Sequence, residues 1–413
     1  MIIISGVTSY PRLASVALAA IERALPVAVV TGARQTGKTT LVRELAGTSD
    51  RRYLTLDDLD VLEQAQQAPD DLAARAPRVT LDEVQRAPDV LLAVKRAVDA
   101  KRRRGQFILT GSANLLLMRS VSESLAGRAG YLTLWPMTRR EQAGLGRAGL
   151  WPELLDAADG DWLDVVAADS MAAADWHQLA RRGGYPTPAL DLDQADDRAT
   201  WFGGYVQTYL ERDLADVGSV ASLPDYRRLM RATCLRLGQM LNQTELGRDV
   251  ALPQPTVHRW LNLLETSYQL VRLPAFSRNR TKRLIKTPKI YWVDTGLALH
   301  LAGGAPGGAH LENLVLSDLL AWRDAAVSTA RPAIYYWRTA TGEEVDFAIE
   351  SGNRLVPIEV KTTTRPRVDD ARHLRSFRAE YGRAAGPGLL LHAGDALEWL
   401  APGILAAPWW RVL

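Results

Sequence analysis

The stretch Gly32-Ala33-Arg34-Gln35-Thr36-Gly37-Lys38-Thr39 decides how this chain is read. Its spacing is G-x-x-x-x-G-K-[ST], and both flanks suit it: Val27-Ala28-Val29-Val30 reads as a buried strand, and the run from Thr40 onward reads as a helix. Such a loop wraps phosphates. The glycines allow a tight turn, while backbone N–H groups and the helix N-terminus supply positive potential. Lys38 is expected to reach the β- and γ-phosphates of ATP and Thr39 to ligate Mg2+. Gly32, Ala33, Arg34, Gln35, Thr36, Gly37 and Thr40 complete the expected nucleotide site.

A loop of this type needs an acid on a neighbouring strand, and Val79-Thr80-Leu81-Asp82-Glu83 offers one. Asp82 is expected to hold magnesium through water and Glu83 to polarise an attacking water, which favours hydrolysis over binding alone. The plainer alternative is two solvated acids at a strand end. Leu109-Thr110-Gly111-Ser112 ends the next expected strand. A hydroxyl there, with Ser112 as the named candidate, could sense the γ-phosphate, or Ser112 could simply cap a helix. Arg128, after Ser124-Leu125-Ala126-Gly127, is a candidate arginine finger acting in cis or from a neighbouring subunit; Arg34 is a weaker one, and a surface salt bridge is the alternative for both.

Further out, the chain of 413 residues has room for several domains. It is 47% apolar and 23% charged, which excludes a mostly disordered chain, a fibrous repeat and a disulfide scaffold. No apolar run approaches the ~20 residues that span a bilayer. A single cysteine, Cys234, allows no internal disulfide and fits a reducing cytoplasm. Lys and Arg exceed Asp and Glu by 50 to 47, so the net charge of +3 matters less than its distribution. Residues 1–145 alternate strand-like runs (26–30, 53–56, 79–81, 107–110, 131–134) with helical ones, which predicts a parallel sheet covered by helices. Residues 146–218 read as helical, with Trp151, Trp162, Trp176 and Trp201 as packing anchors.

Together, residues 32–40, Leu56-Asp57-Asp58, Leu81-Asp82-Glu83-Val84-Gln85, Leu109-Thr110-Gly111-Ser112 and Leu125-Ala126-Gly127-Arg128 resemble the AAA-type ATPase domain of a large group of bacterial and archaeal ATP-binding proteins. The segment from Trp201 to Leu214 looks like the opening of that group's C-terminal region. The resemblance implies an α/β fold: a P-loop AAA-type core, a helical lid, a winged-helix domain and a C-terminal restriction-endonuclease-like α/β domain. It implies ATP use and says little of cellular role.

Residues 219–300 read as three helices and a hairpin, the pattern of a helix-turn-helix with a wing. Thr256, His258 and Arg259 would point from the recognition-type helix. Residues 272–289 hold seven basic side chains, Arg272, Arg278, Arg280, Lys282, Arg283, Lys286 and Lys289, and no acid. Arg278, Arg280, Lys282, Arg283 and Lys286 are the expected phosphate contacts, with salt-dependent and largely sequence-blind affinity. The alternative is a hairpin used only for packing between domains.

Beyond a glycine-rich linker at 303–308, residues 309–413 read as a second α/β unit, with its last strand expected at 409–412. Asp346, Glu359 and Lys361 have the spacing D-x12-E-x-K across an expected hairpin, with Glu312 as a third acid. Glu359 and Lys361 lie two apart on a strand and so share a face. This resembles the PD-(D/E)XK nuclease-like fold, in which such acids hold magnesium and the lysine orients a water. The whole chain is thus read as an ATP-hydrolysing protein that grips or remodels duplex or branched DNA, as a homo-oligomer with a ring as one form and with no membrane partner. A magnesium-dependent, ATP-gated nuclease and a nucleotide switch for a protein partner are the alternatives.

Overall fold

The computed structural model describes residues 10–47, 50–111, 125–213, 220–279, 283, 286–327 and 331–413. Its first unit is a five-stranded parallel sheet made by β1 (Val27–Thr31), β2 (Arg51–Thr55), β3 (Arg78–Asp82), β4 (Phe107–Thr110) and β5 (Ala129–Thr133). The strand order is β2-β3-β4-β1-β5. Every residue of β1 is buried, as its unbroken apolar run requires of a central strand covered on both faces. The helices Ala14–Ala24 and Val90–Ala100 bury Leu18 and Val94. Leu81 and Val29 each lie level with Leu109 of β4, so the C-terminal ends of β1, β3 and β4 align. The phosphate loop and Asp82 therefore emerge side by side.

The middle of the chain carries the helices Leu223–Cys234, Gln243–Asp249 and Gln254–Thr266. Asn242 caps the second, accepting from the N–H groups of Thr244 (3.2 Å) and Glu245 (3.1 Å). An antiparallel pair follows, β6 (Leu270–Leu273) and β7 (Lys289–Trp292). The first helix ends at Cys234, and just beyond it the Gly238 N–H turns to the carbonyl of Ile290 on β7. Cys234 is buried.

The last unit is a mixed six-stranded sheet of β8 (Ala333–Arg338), β9 (Glu344–Ser351), β10 (Arg354–Lys361), β11 (Gly388–His392), β12 (Glu398–Ala401) and β13 (Ile404–Pro408), in the order β12-β13-β11-β10-β9-β8. The helix Gly308–Ala325 packs on it. The strand expected at 409–412 is a helical turn instead: β13 occupies the preceding residues, and Pro408 ends it. Among the described residues no helix is long and apolar enough to cross a membrane.

One continuous core runs from Trp135 to Leu413. It joins the helical segment, the middle unit and the last sheet, while a second core lies under the parallel sheet. Trp151 and Trp162 are buried in the first core as anchors. The Trp151 indole donates to Asp318 Oδ1 at 2.6 Å, and the Gly149 N–H adds a second bond at 2.8 Å. Burial pushes the Asp318 carboxyl up to about 6 despite these donors. Its folded pKa thus lies above the unfolded value, so ionisation costs stability as pH rises through that interval, and the cost persists above it. Asp318→Asn should therefore raise thermal stability at pH 8, by on the order of 1–2 kcal/mol, and give no gain at pH 4. Melting curves at the two pH values check this; an equal effect at both contradicts it.

Candidate functional site

Gly32 has φ +137°, and a Cβ there would lie 2.3 Å from the carbonyl oxygen of Leu134, so only glycine fits. Gly37 (φ +93°) and Gln35 (φ 65°) complete the tight turn. Lys38 is buried at the start of the helix Lys38–Gly47, and its ammonium folds back on the loop, donating to the carbonyls of Ala33 (2.7 Å) and Gly32 (3.2 Å). Burial draws its pKa down to about 8, partly offset by Glu83 and Asp82. From outside, Arg12 staples the loop: it donates to the carbonyls of Thr36 (2.8 Å) and Trp135 (2.7 Å) and pairs with Glu141 at 3.1 Å.

Asp82, only 1% exposed, is the hub. Oδ2 accepts from the hydroxyls of Thr39 (2.8 Å) and Tyr53 (2.7 Å); Oδ1 accepts from the Thr110 hydroxyl and from the Glu83 N–H (3.2 Å). Glu83 sits in the left-handed region (φ 58°, ψ 42°), a strained setting for any residue with a Cβ. Its carboxylate takes a bond from the Gln85 amide. The hydroxyl–carboxylate pair of Thr39 and Asp82 is a hard-oxygen set of the kind magnesium takes. The buried ammonium donates to loop carbonyls, with Glu83 and Asp82 near enough to favour its charge. This donor set fits a nucleotide triphosphate with its metal. Ala33 is buried at the same turn, and Thr40 is exposed. Ser112 lies outside the described residues; the hydroxyl found on Asp82 is that of Thr110.

Arg128 does not reach this site in its own chain. Its carbonyl accepts from the Val27 N–H (3.2 Å) at the start of β1, the end remote from the loop, roughly 13–17 Å away along the strand. Its guanidinium pairs with Asp99 at 2.6 Å. The expected finger role in cis is thereby corrected, and only a second copy could bring Arg128 to a nucleotide. Arg34 stacks over Tyr209 at 5.2 Å. Beside it, a cavity of about 330 Å³ is lined by Arg34, Gln35, Trp201, Tyr205 and Tyr209 among others. The Tyr205 hydroxyl donates to the Arg34 carbonyl (3.4 Å), and the Gln269 amide donates to Tyr205 (3.3 Å). Tyr268 bonds Thr31, at the end of β1, at 2.9 Å. The helical segment thus touches the phosphate loop through Tyr205, and the middle unit touches the end of β1 through Tyr268.

The four residues named as nuclease-like do come together, through ion pairs and hydrogen bonds. Lys361 pairs with Glu359 (2.6 Å), Asp346 Oδ2 accepts from the Val360 N–H (2.9 Å), and Tyr291 donates to Glu312 (3.1 Å). Burial, then the Asp346 charge, raises the pKa of both Glu312 and Glu359. Lys289, 2% exposed, enters from β7 to Glu344 (2.5 Å) and Asp346 (3.6 Å). Burial works against its charge, but Asp346, Glu312 and Glu344 outweigh it and raise its pKa. Among the described residues no group of three or more His, Cys, Asp or Glu side chains is arranged to hold a metal ion. Asp346 thus stands beside both Glu312 and Glu359, and the ammonium groups of Lys289 and Lys361 lie among these acids as counter-charge.

The basic segment also makes contacts within the protein. Arg283 forms a fork on Glu350 (2.6 and 3.0 Å) and stacks on Phe276 and Tyr335. Arg278 lies over Tyr381 and donates to the Glu380 carbonyl (2.7 Å). Arg272 pairs with Glu265 at 3.0 Å. With Lys289 buried, these charges dock the segment on neighbouring elements, and Arg278 and Arg283 are taken up by protein contacts. Arg280 and Lys282 lie outside the described residues, and Lys286 is exposed. On the Gln254–Thr266 helix, His258 and Arg259 are exposed and Thr256 half-exposed. His258 is held between Gln243 (3.3 Å) and Asn262 (3.0 Å). Arg12 and Tyr53 are the site residues that motif reading missed, because their contacts come from other elements and follow no spacing.

Residues 25–143 match the AAA domain family, and residues 173–306 and 307–412 match two domains of unknown function, DUF8612 and DUF4143. The uncharacterized proteins Rv2008c of Mycobacterium tuberculosis and Mb2031c of Mycobacterium bovis are each 33% identical over 406 residues, covering 95% of this chain and 82% of theirs. Among solved structures, the Walker-type ATPase PABY2304 of Pyrococcus abyssi is similar at 15% identity over 70% of this chain and 94% of that one, with a TM-score of 0.43. AMPPCP-bound DnaA of Aquifex aeolicus is similar at 14% identity over 61% of this chain and 86% of that one, with a TM-score of 0.29.

The Lys38 pKa makes a prediction. The ammonium is present at pH 7 and is lost as pH rises through about 8. Affinity for ATP should then fall about tenfold between pH 7 and pH 9, provided bound phosphates hold the proton on. Calorimetry across that range checks it, and a flat profile contradicts it.

Proposed function

We infer the function from the premise that this chain belongs to the family of the two mycobacterial proteins and carries an AAA-type P-loop ATPase domain. It binds ATP at residues 32–40 and hydrolyses it. The observation that carries this reading is the bond from Thr39 to Asp82 beside the buried Lys38 ammonium. Lys38 exchanges the carbonyls of Gly32 and Ala33 for phosphate oxygens. Thr39 and Asp82 would hold magnesium, which when bound would supply positive charge against that gathering on the transferred phosphoryl group. Glu83 orients the attacking water and accepts its proton.

Lys38→Ala should lower ATP affinity at least tenfold and abolish turnover. Glu83→Gln should still bind ATP while losing at least 99% of turnover. Calorimetry together with phosphate release measures both, and normal turnover by either variant refutes the site.

The target of that turnover is duplex or branched DNA. Three helices followed by an antiparallel pair, in the arrangement of a winged helix, support this, as does the exposed face of Thr256, His258 and Arg259. The internal use of Arg272, Arg278, Arg283 and Lys289 favours a second reading, a nucleotide switch for a protein partner. The two separate in a salt titration with duplex, single-stranded and four-way DNA. On the DNA reading affinity falls with salt, and Arg259→Ala lowers the salt slope by about one. Absent or salt-independent affinity leaves the switch.

A further inference from the structure

Asp82 is the group that the proposed hydrolysis asks to hold a metal, and three elements beyond its own hold it. On one side stands Thr39, from the loop helix. On the other stands Tyr53, from β2, the strand paired with β3 in the register Thr55 to Asp82. The Tyr53 hydroxyl lies 2.7 Å from Asp82 Oδ2, the same oxygen that takes the Thr39 hydroxyl at 2.8 Å. Above the Tyr53 ring, at 4.8 Å, lies the guanidinium of Arg43, which also reaches the phenol oxygen at 3.5 Å. Arg43 stands four residues beyond Thr39, one turn along the same helix. The other oxygen of Asp82 is already filled by Thr110 and the Glu83 N–H.

We propose that Tyr53 is a positioning residue for magnesium, acting through Asp82. This rests on the reading of residues 32–40 as an ATP site. Thr39 can turn an oxygen lone pair to the cation while its hydrogen stays on Asp82, so one of the two hydroxyls aiming that oxygen is itself a ligand of the metal. Tyr53 is a donor that takes no part in ligating the metal, and it fixes the carboxylate's rotamer from the opposite side. Burial and the bond to Asp82 push its phenol up to about 12, so it stays a donor at any working pH. Arg43 holds the ring in place and adds positive charge near an acid that must remain ionised. Outer partners of this kind typically change metal affinity 10–100-fold when removed.

Tyr53→Phe keeps the ring under Arg43 and removes only the hydroxyl. ATP binding is measured by calorimetry over a magnesium series and again in EDTA. The expected result is about a tenfold rise in the magnesium concentration at half-saturation, against less than a twofold change in affinity in EDTA. Coincident magnesium curves for the native chain and the variant overturn the proposal. So does an equal loss with and without magnesium, which would mark a merely structural bond. Should the variant fail to fold by circular dichroism, Arg43→Met serves in its place, with a two- to threefold shift expected and no shift overturning the role. A native chain that binds no ATP at any magnesium concentration overturns the ATP site and this role together; normal native binding matched by Tyr53→Phe overturns the role of Tyr53 alone.

Discussion

A carboxylate taken out of water costs several kcal/mol unless its lone pairs are met. Asp82 meets that cost with four donors drawn from four places: the loop helix through Thr39, β2 through Tyr53, β4 through Thr110, and its own following N–H. This one interaction ties the phosphate loop to three neighbouring strand ends. It depends on the strand order β2-β3-β4-β1-β5, which sets β3 between the strands carrying Tyr53 and Thr110 and places β1 beyond β4. A different order would leave the acid either unpaired or distant from Thr39. The tight loop depends on the same arrangement, since Gly32 packs against the Leu134 carbonyl without room for a Cβ.

The rest of the chain is built around charges that are satisfied internally. Lys289 crosses from β7 to Glu344 and Asp346, Arg283 reaches Glu350, and Asp318 caps the loop before Trp151. In each the partners lie in different sequence regions, and removing one member of either ion pair leaves an uncompensated charge. Tyr205 and Tyr268 bring the same body against Arg34 and Thr31. Nucleotide-dependent movement of the loop would therefore be felt by the helices before β6 through two hydroxyl contacts and the Gln269 amide. That is a contiguous physical link, and its coupling energy is a matter for mutant cycles.

Legibility divided along physical lines. Elements with strong local signals were readable within a residue or two: β1 from its apolar run, β4 from 107–110, the helix opened by Asn242, and the hairpin of β9 and β10. The turn at 409–412 was misread because Trp-Trp-Arg-Val has strand-like composition, and what overruled it was β13 just before it. The contacts of the basic segment were not readable, because charge density along a chain says nothing of what faces each charge. Glu350, Tyr335 and Tyr381, which take up Arg283 and Arg278, lie far from it in sequence.

The sequence by itself determined the phosphate loop, its lysine and threonine, and the acid that follows a short strand. These are local in sequence because glycine torsions, a helix N-terminus and a strand end are properties of a few consecutive residues. Only the tertiary structure decided that Tyr53 and Thr110 share Asp82 with Thr39, that Arg128 stands at the wrong end of β5, and that Lys289 sits among the acids of the last sheet. Those outcomes depend on strand order and on which faces pack together. Such choices are made by burial summed over many distant residues, and no spacing within a motif records them.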